Sequence, residues 1–115
     1  MSDEIIDVPE FLDRVMEDKD LLKELLDIFS ADYVQKRQDL GKAVETKDFE
    51  TIRSVAHSLK GASGNISAKP LREVCVILEK KGKESDGEGL EALLADLDKQ
   101  YAALEERMKT LKEEL

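Results

Sequence analysis

From Leu90 to the end of the chain, apolar residues return every three or four positions: Leu90, Leu94 (or Leu93), Leu97, Tyr101, Leu104, Met108, Leu111 and Leu115. A stretch of this length with one apolar edge and charged flanks has one good conformation, an amphipathic helix. It also has one need, because the edge must be covered by neighbours. The rest of the chain supplies them in the same pattern. Pro9, followed by Phe11, Leu12, Val15 and Met16, predicts a short first helix over 8–16, proline being tolerated in a first turn. Asp18 is a candidate N-cap for a second helix over about 19–45, with a stripe through Leu22, Leu25, Leu26, Phe29, Tyr33, Leu40 and Val44. Gly41 weakens its end.

Thr46-Lys47-Asp48 reads as a turn, and Asp48 as the N-cap of a third helix. There Phe49, Ile52, Ala56, Leu59, Ser63 and Ile66 are spaced 3, 4, 3, 4, 3, with Val55 widening the stripe. That spacing marks a buried helix face. Pro70 suits the first turn of a fourth helix, whose face is Leu71, Val74, Cys75 and Leu78, and the run from Gly82 to Gly89 reads as the loop that ends it. Four long amphipathic helices on short loops predict an all-α, antiparallel up-down four-helix bundle with the short first helix capping one end. Residues 1–115 then form a single domain.

Composition removes several functional classes. No stretch approaches the roughly 20 apolar residues of a membrane span. The acidic start, Met1-Ser2-Asp3-Glu4, lacks the basic and apolar regions of a signal peptide, so a cytoplasmic location is expected. A lone cysteine, Cys75, forms no internal disulfide, and one Cys with one His leaves a structural zinc site without ligands. The bundle core accounts for the heptads of the last helix without a coiled-coil dimer, so a monomer is expected. The net charge of −9 argues against nucleic acid as the main partner. That charge is uneven. Residues 52–83 hold seven basic side chains (Arg53, Lys60, Lys69, Arg72, Lys80, Lys81 and Lys83) against Glu73 and Glu79, a +5 island on a remainder of −14.

His57, the only histidine, lies in that island. At 100° per residue it falls about 160° from Leu59 and Val55, on the face the apolar stripe leaves to solvent. Arg53, Lys60, Gly61 and Gly64 lie within about 60° of it. A glycine inside a helix costs roughly 1 kcal/mol relative to alanine. Two of them beside one imidazole point to a surface kept bare for a partner's approach. A neutral imidazole is a nucleophile, and it forms a phosphoramidate when it meets a phosphoryl group; an ammonium such as Lys60 would balance the phosphoryl charge. On an antiparallel fourth helix, the level of His57 falls near Glu79 and Lys80, with Lys83 one turn beyond Glu79, to frame the imidazole or meet a partner. Cys75 falls on the apolar face and reads as core.

The run His57-Ser58-Leu59-Lys60-Gly61-Ala62-Ser63-Gly64-Asn65-Ile66-Ser67-Ala68 resembles the signature of histidine-containing phosphotransfer domains. The match rests on His57, Leu59, Lys60, Gly61 and Ala68. It departs at Ser67, where that family usually has glycine, a difference that bears on the turn more than on the chemistry. The resemblance implies a phosphorelay intermediate, phosphorylated on His57 with help from Lys60. It would exchange the group with aspartates of response-regulator receiver domains, including that of a hybrid sensor histidine kinase. Arg53, Gly61, Gly64, Lys80 and Lys83 are the expected docking residues, because an acidic receiver site is drawn to a basic strip. No cofactor is expected in this chain. The Mg²⁺ and the acidic cluster belong to the receiver, and no nucleotide-binding motif is present, so neither kinase nor ATPase activity is expected.

Three other readings fit less well. Sensor-kinase dimerisation domains usually carry an acidic residue directly after the histidine and a proline soon after, whereas this chain has Ser58 and no proline before Pro70. An adaptor bundle with an incidental histidine explains the composition but not the glycine-lined basic strip. A hydrolase lacks any paired carboxylates or reactive cysteines that the sequence singles out.

Overall fold

A computed structural model describes residues 5–115. It contains five helices: α1 (Val8–Arg14), α2 (Lys19–Thr46), α3 (Phe49–Asn65), α4 (Lys69–Lys83) and α5 (Leu90–Glu114). Their starts are set by local chemistry. Asp7, Asp18 and Asp48 each accept a hydrogen bond from a backbone N–H three residues on, at 3.2, 3.0 and 3.2 Å. Each bond satisfies a donor that the first turn leaves orphaned. Pro9 and Pro70 occupy first turns, where no N–H is needed. Lys47, in the left-handed region at φ 56°, ends α2 and turns the chain into α3.

Short connections fold each long helix back on its predecessor, giving a bundle 42 × 25 × 19 Å in extent. α3 packs most extensively against α4 and then against α2, while α5 closes the bundle on α4 and α2. The side chains of Leu22, Leu26, Ile52, Leu59, Leu78, Leu97 and Leu111 are fully buried between them. Each contributes about 1.5–3 kcal/mol through removal of apolar surface from water. Ser63 interrupts the apolar stripe of α3, but its hydroxyl donates to the Leu59 carbonyl at 2.7 Å and so is satisfied inside the core. No helix among the described residues is long and apolar enough to cross a membrane.

Two local expectations are corrected. α1 ends at Arg14. Met16 and Glu17 both turn left-handed, at φ 54° and 64°, and Met16 is 88% exposed rather than part of the apolar stripe. The chain needs that sharp reversal to bring Asp18 into capping position. Gly82 does not open the following loop. It lies buried in the last turn of α4, where a Cβ would stand 2.6 Å from the backbone nitrogen of Arg53. Its missing side chain lets α3 and α4 approach backbone to backbone.

Candidate histidine site

That close approach sets the geometry around His57. The imidazole projects from the solvent face of α3, and its side chain is 64% exposed. Across the α3–α4 seam stands Glu79, only 7% exposed. Its Oε2 lies 2.8 Å from His57 Nδ1 and its Oε1 lies 2.6 Å from Lys60 Nζ. Lys83, one turn further along α4, places its ammonium 3.8 Å from Oε2. One covered carboxylate thus faces three nitrogen groups.

The hydrogen bond from Lys60 is the largest influence on the Glu79 carboxyl; burial opposes it, and the His57 hydrogen bond and the charge of Lys60 add to it, so that the group is pulled down to about 2. The group is therefore ionised and accepts hydrogen bonds without donating them. Nδ1 of His57 must then carry a proton and donate it to Glu79. The neutral ring is left with its lone pair on Nε2, on the solvent side.

The other residues singled out from the sequence fall in three groups. Lys60 stands beside His57 but is held by Glu79. Gly61 is bare: apart from its chain neighbours and the backbone of its own helix turn, nothing lies within 4 Å of where its Cβ would be. Gly64 is only partly so: the Nε and Cδ of Arg72 lie 3.4 and 3.5 Å from its would-be Cβ. Arg53 bends back to pair with Glu50, one turn earlier on α3, and Lys80 is exposed on α4. The sequence placed Glu79 at the level of His57 without separating it from Lys80. The available signal was position: Glu79 follows Leu78 and lies four residues after Cys75, on the flank of α4 that meets α3. Arg72 was counted only as one of the island's seven basic residues, not among the docking residues.

Ser67 sits in the turn between α3 and α4 with φ 58°. The left-handed region favours glycine, which accounts for glycine as the usual residue in the signature. Serine is held there by its surroundings. Its carbonyl accepts from the Asp7 N–H at 2.9 Å, and its hydroxyl donates to Glu10 at 2.7 Å. Lys69 adds ion pairs to Asp7 and Glu10 at 2.9 and 3.2 Å. The turn below the histidine is thereby clasped to α1.

Fold and site together define a small helical-bundle domain that presents one oriented histidine on an open face. The chain belongs to the Hpt domain family, whose sequence pattern matches residues 24–113. It is 27% identical over 95 residues to histidine-containing phosphotransfer protein 2 of Arabidopsis thaliana, covering 80% of this chain and 61% of that protein. Histidine-containing phosphotransfer protein 1 of the same plant is 23% identical over 94 residues, with the same coverage. The match thus spans about three fifths of the length of these curated relatives. The fold is that of histidine-containing phosphotransfer protein B from Pseudomonas aeruginosa PAO1, with a TM-score of 0.89, 24% identity and 96% of each chain covered.

Proposed function

We propose that this chain is a phosphorelay intermediate that carries a phosphoryl group on Nε2 of His57. The observation that carries the reading is an exposed imidazole whose inner nitrogen is tied to a covered, ionised Glu79. In the forward step, the Nε2 lone pair attacks the phosphorus of a receiver's phospho-aspartate in line. The N–P bond forms as the bond to the aspartyl oxygen breaks, and the electron pair leaves with the receiver's carboxylate. The proton on Nδ1 stays in place, so the phosphorylated ring is cationic and Glu79 offsets that charge. Lys60, held at the same carboxylate, supplies the ammonium nearest the incoming phosphoryl oxygens. The next receiver's aspartate reverses the step. The magnesium ion and acidic cluster that activate the aspartate are the receiver's.

The partners are receiver domains of response regulators, one of them within a hybrid sensor histidine kinase. The chain acts as a cytoplasmic monomer, docking through the strip around Gly61. The test is phosphotransfer profiling against the receiver domains of the same organism. At least one labelled receiver passes its label to the wild-type protein, and none passes it to His57→Gln. Labelling of His57→Gln at the wild-type rate would remove His57 from the chemistry. Lys60→Ala is expected to slow transfer rather than abolish it.

A further inference from the structure

The basic island is largely neutralised from within. Of its seven cations, Arg53 pairs with Glu50, Lys60 and Lys83 with Glu79, Lys69 with Asp7 and Glu10, and Lys81 with Asp86. Arg72 and Lys80 alone make no ion pair among the described residues. Paired cations are already compensated, so the charge free to meet a partner is concentrated at these two positions.

Arg72 has a built seat. Its Cδ and Nε lie over Gly64, at ordinary contact distance from where a Cβ would be. Any side chain longer than alanine at position 64 would push them away. Gly64 follows His57 by seven residues, roughly 10 Å along the axis of α3. Arg72 therefore lays its stem across the strip that carries the histidine. Beyond it opens a cleft of 320 Å³, whose lining includes Glu10, Gly64, Ser67, Lys69 and Glu73. Within that cleft Glu10 pairs with both Lys69 and Arg14, which leaves Arg72 as the one cation and Glu73 as the one carboxylate of its lining without an ion pair among the described residues.

We infer that Arg72, seated by Gly64, is a specificity-determining contact for the receiver partner, an inference that rests on the phosphotransfer reading. The partner it fits is a receiver domain with an exposed aspartate or glutamate to one side of its phosphorylated aspartate, facing the part of the strip where Gly64 seats Arg72. The planar fork of Arg72 receives that carboxylate in bidentate fashion. Gly61 and Gly64 then have different purposes: Gly61 clears space for the partner, and Gly64 clears space for Arg72.

The experiment uses the receiver that labels the wild-type protein fastest. Arg72→Ala raises the KM for that receiver roughly three- to tenfold at low salt and leaves kcat unchanged, and the difference shrinks as salt is added. Gly64→Leu raises KM as well. In the Arg72→Ala background it adds much less, because nothing remains to be displaced. An Arg72→Ala KM equal to wild type, a loss confined to kcat, or full additivity of the two substitutions would overturn the inference. If no receiver labels the wild-type protein, the phosphotransfer reading itself fails, before any variant is compared, and the assignment of Arg72 falls with it.

Discussion

His57 and Glu79 meet at 2.8 Å across the α3–α4 seam, one largely open to solvent and the other almost wholly covered. The pairing makes Glu79 the group that decides which imidazole nitrogen carries the proton and which keeps its lone pair. In Glu79→Gln the shape is kept, but the amide offers both a donor and an acceptor, so the Nδ1 proton is no longer dictated. Transfer is expected to slow roughly tenfold, as for loss of an orienting partner elsewhere. Nitrogen NMR of the ring should change from the single Nδ1–H tautomer to a mixture. An unchanged tautomer ratio in the variant would show that Glu79 does not set it.

The same carboxylate makes stability depend on pH. Its folded pKa is lowered from 4.5 to about 2, so the folded state favours the ionised form more than the unfolded chain does. The stabilisation is fully present above about pH 4.5 and is lost as the pH falls toward 2. Urea midpoints of wild type and Glu79→Gln should therefore differ near neutrality and converge at the acid end. A constant gap from pH 6 down to about pH 2 would contradict this linkage. Glu79→Ala, which leaves half-buried Lys60 without its partner, should cost about 1–3 kcal/mol at pH 7.

Two glycines separate packing from access. A Cβ at Gly82 would stand 2.6 Å from the Arg53 backbone nitrogen. Gly82→Ala must therefore part α3 from α4, with a stability cost of about 1–3 kcal/mol and slower transfer as Glu79 is drawn away from His57. Gly61→Leu meets open space. It should leave the melting temperature unchanged or raised, since a helix glycine is removed, yet block transfer by standing in the partner's way. Thermal melts beside transfer rates distinguish the two, and a fully active Gly61→Leu would argue against a docking strip there.

Ser67 tests the turn. Both Ser67→Gly and Ser67→Ala lose the hydroxyl bond to Glu10, but only glycine is at ease at φ 58°. The glycine variant should be more stable than the alanine variant by about 1 kcal/mol. Equal stabilities by chemical denaturation would mean that the backbone at this turn is not strained.

Periodicity was enough to read the bundle, because a buried face must recur at the helical repeat: Ile52, Ala56 and Leu59 are all fully covered. Asp18 and Asp48 announced helix starts because capping is chemistry within a few residues. The exposure of His57 followed from the same wheel. What could not be read depends on how two helices are rotated and shifted against each other. Glu79 lies close to Lys80 in sequence, and only the depth of the α3–α4 seam makes one a covered partner of His57 and the other a solvated cation. Gly82 looked like a loop residue because a glycine used for close packing and one used for a turn are the same letter. Met16 matched the apolar spacing of its helix, but the chain reverses before reaching it.

All the groups around the histidine come from one hairpin. His57 and Lys60 lie on α3, Glu79 and Lys83 on α4, and the turn at Ser67 joins them. α1, α2 and α5 give the hairpin an apolar backing but hold no atom of the imidazole. The histidine and its charged neighbours are thus encoded in one short continuous stretch, and the other helices contribute none of these groups. Changes in the helices behind it leave the neighbours of the imidazole untouched, whereas a change at Gly64 or Arg72 falls within the same stretch that carries the histidine.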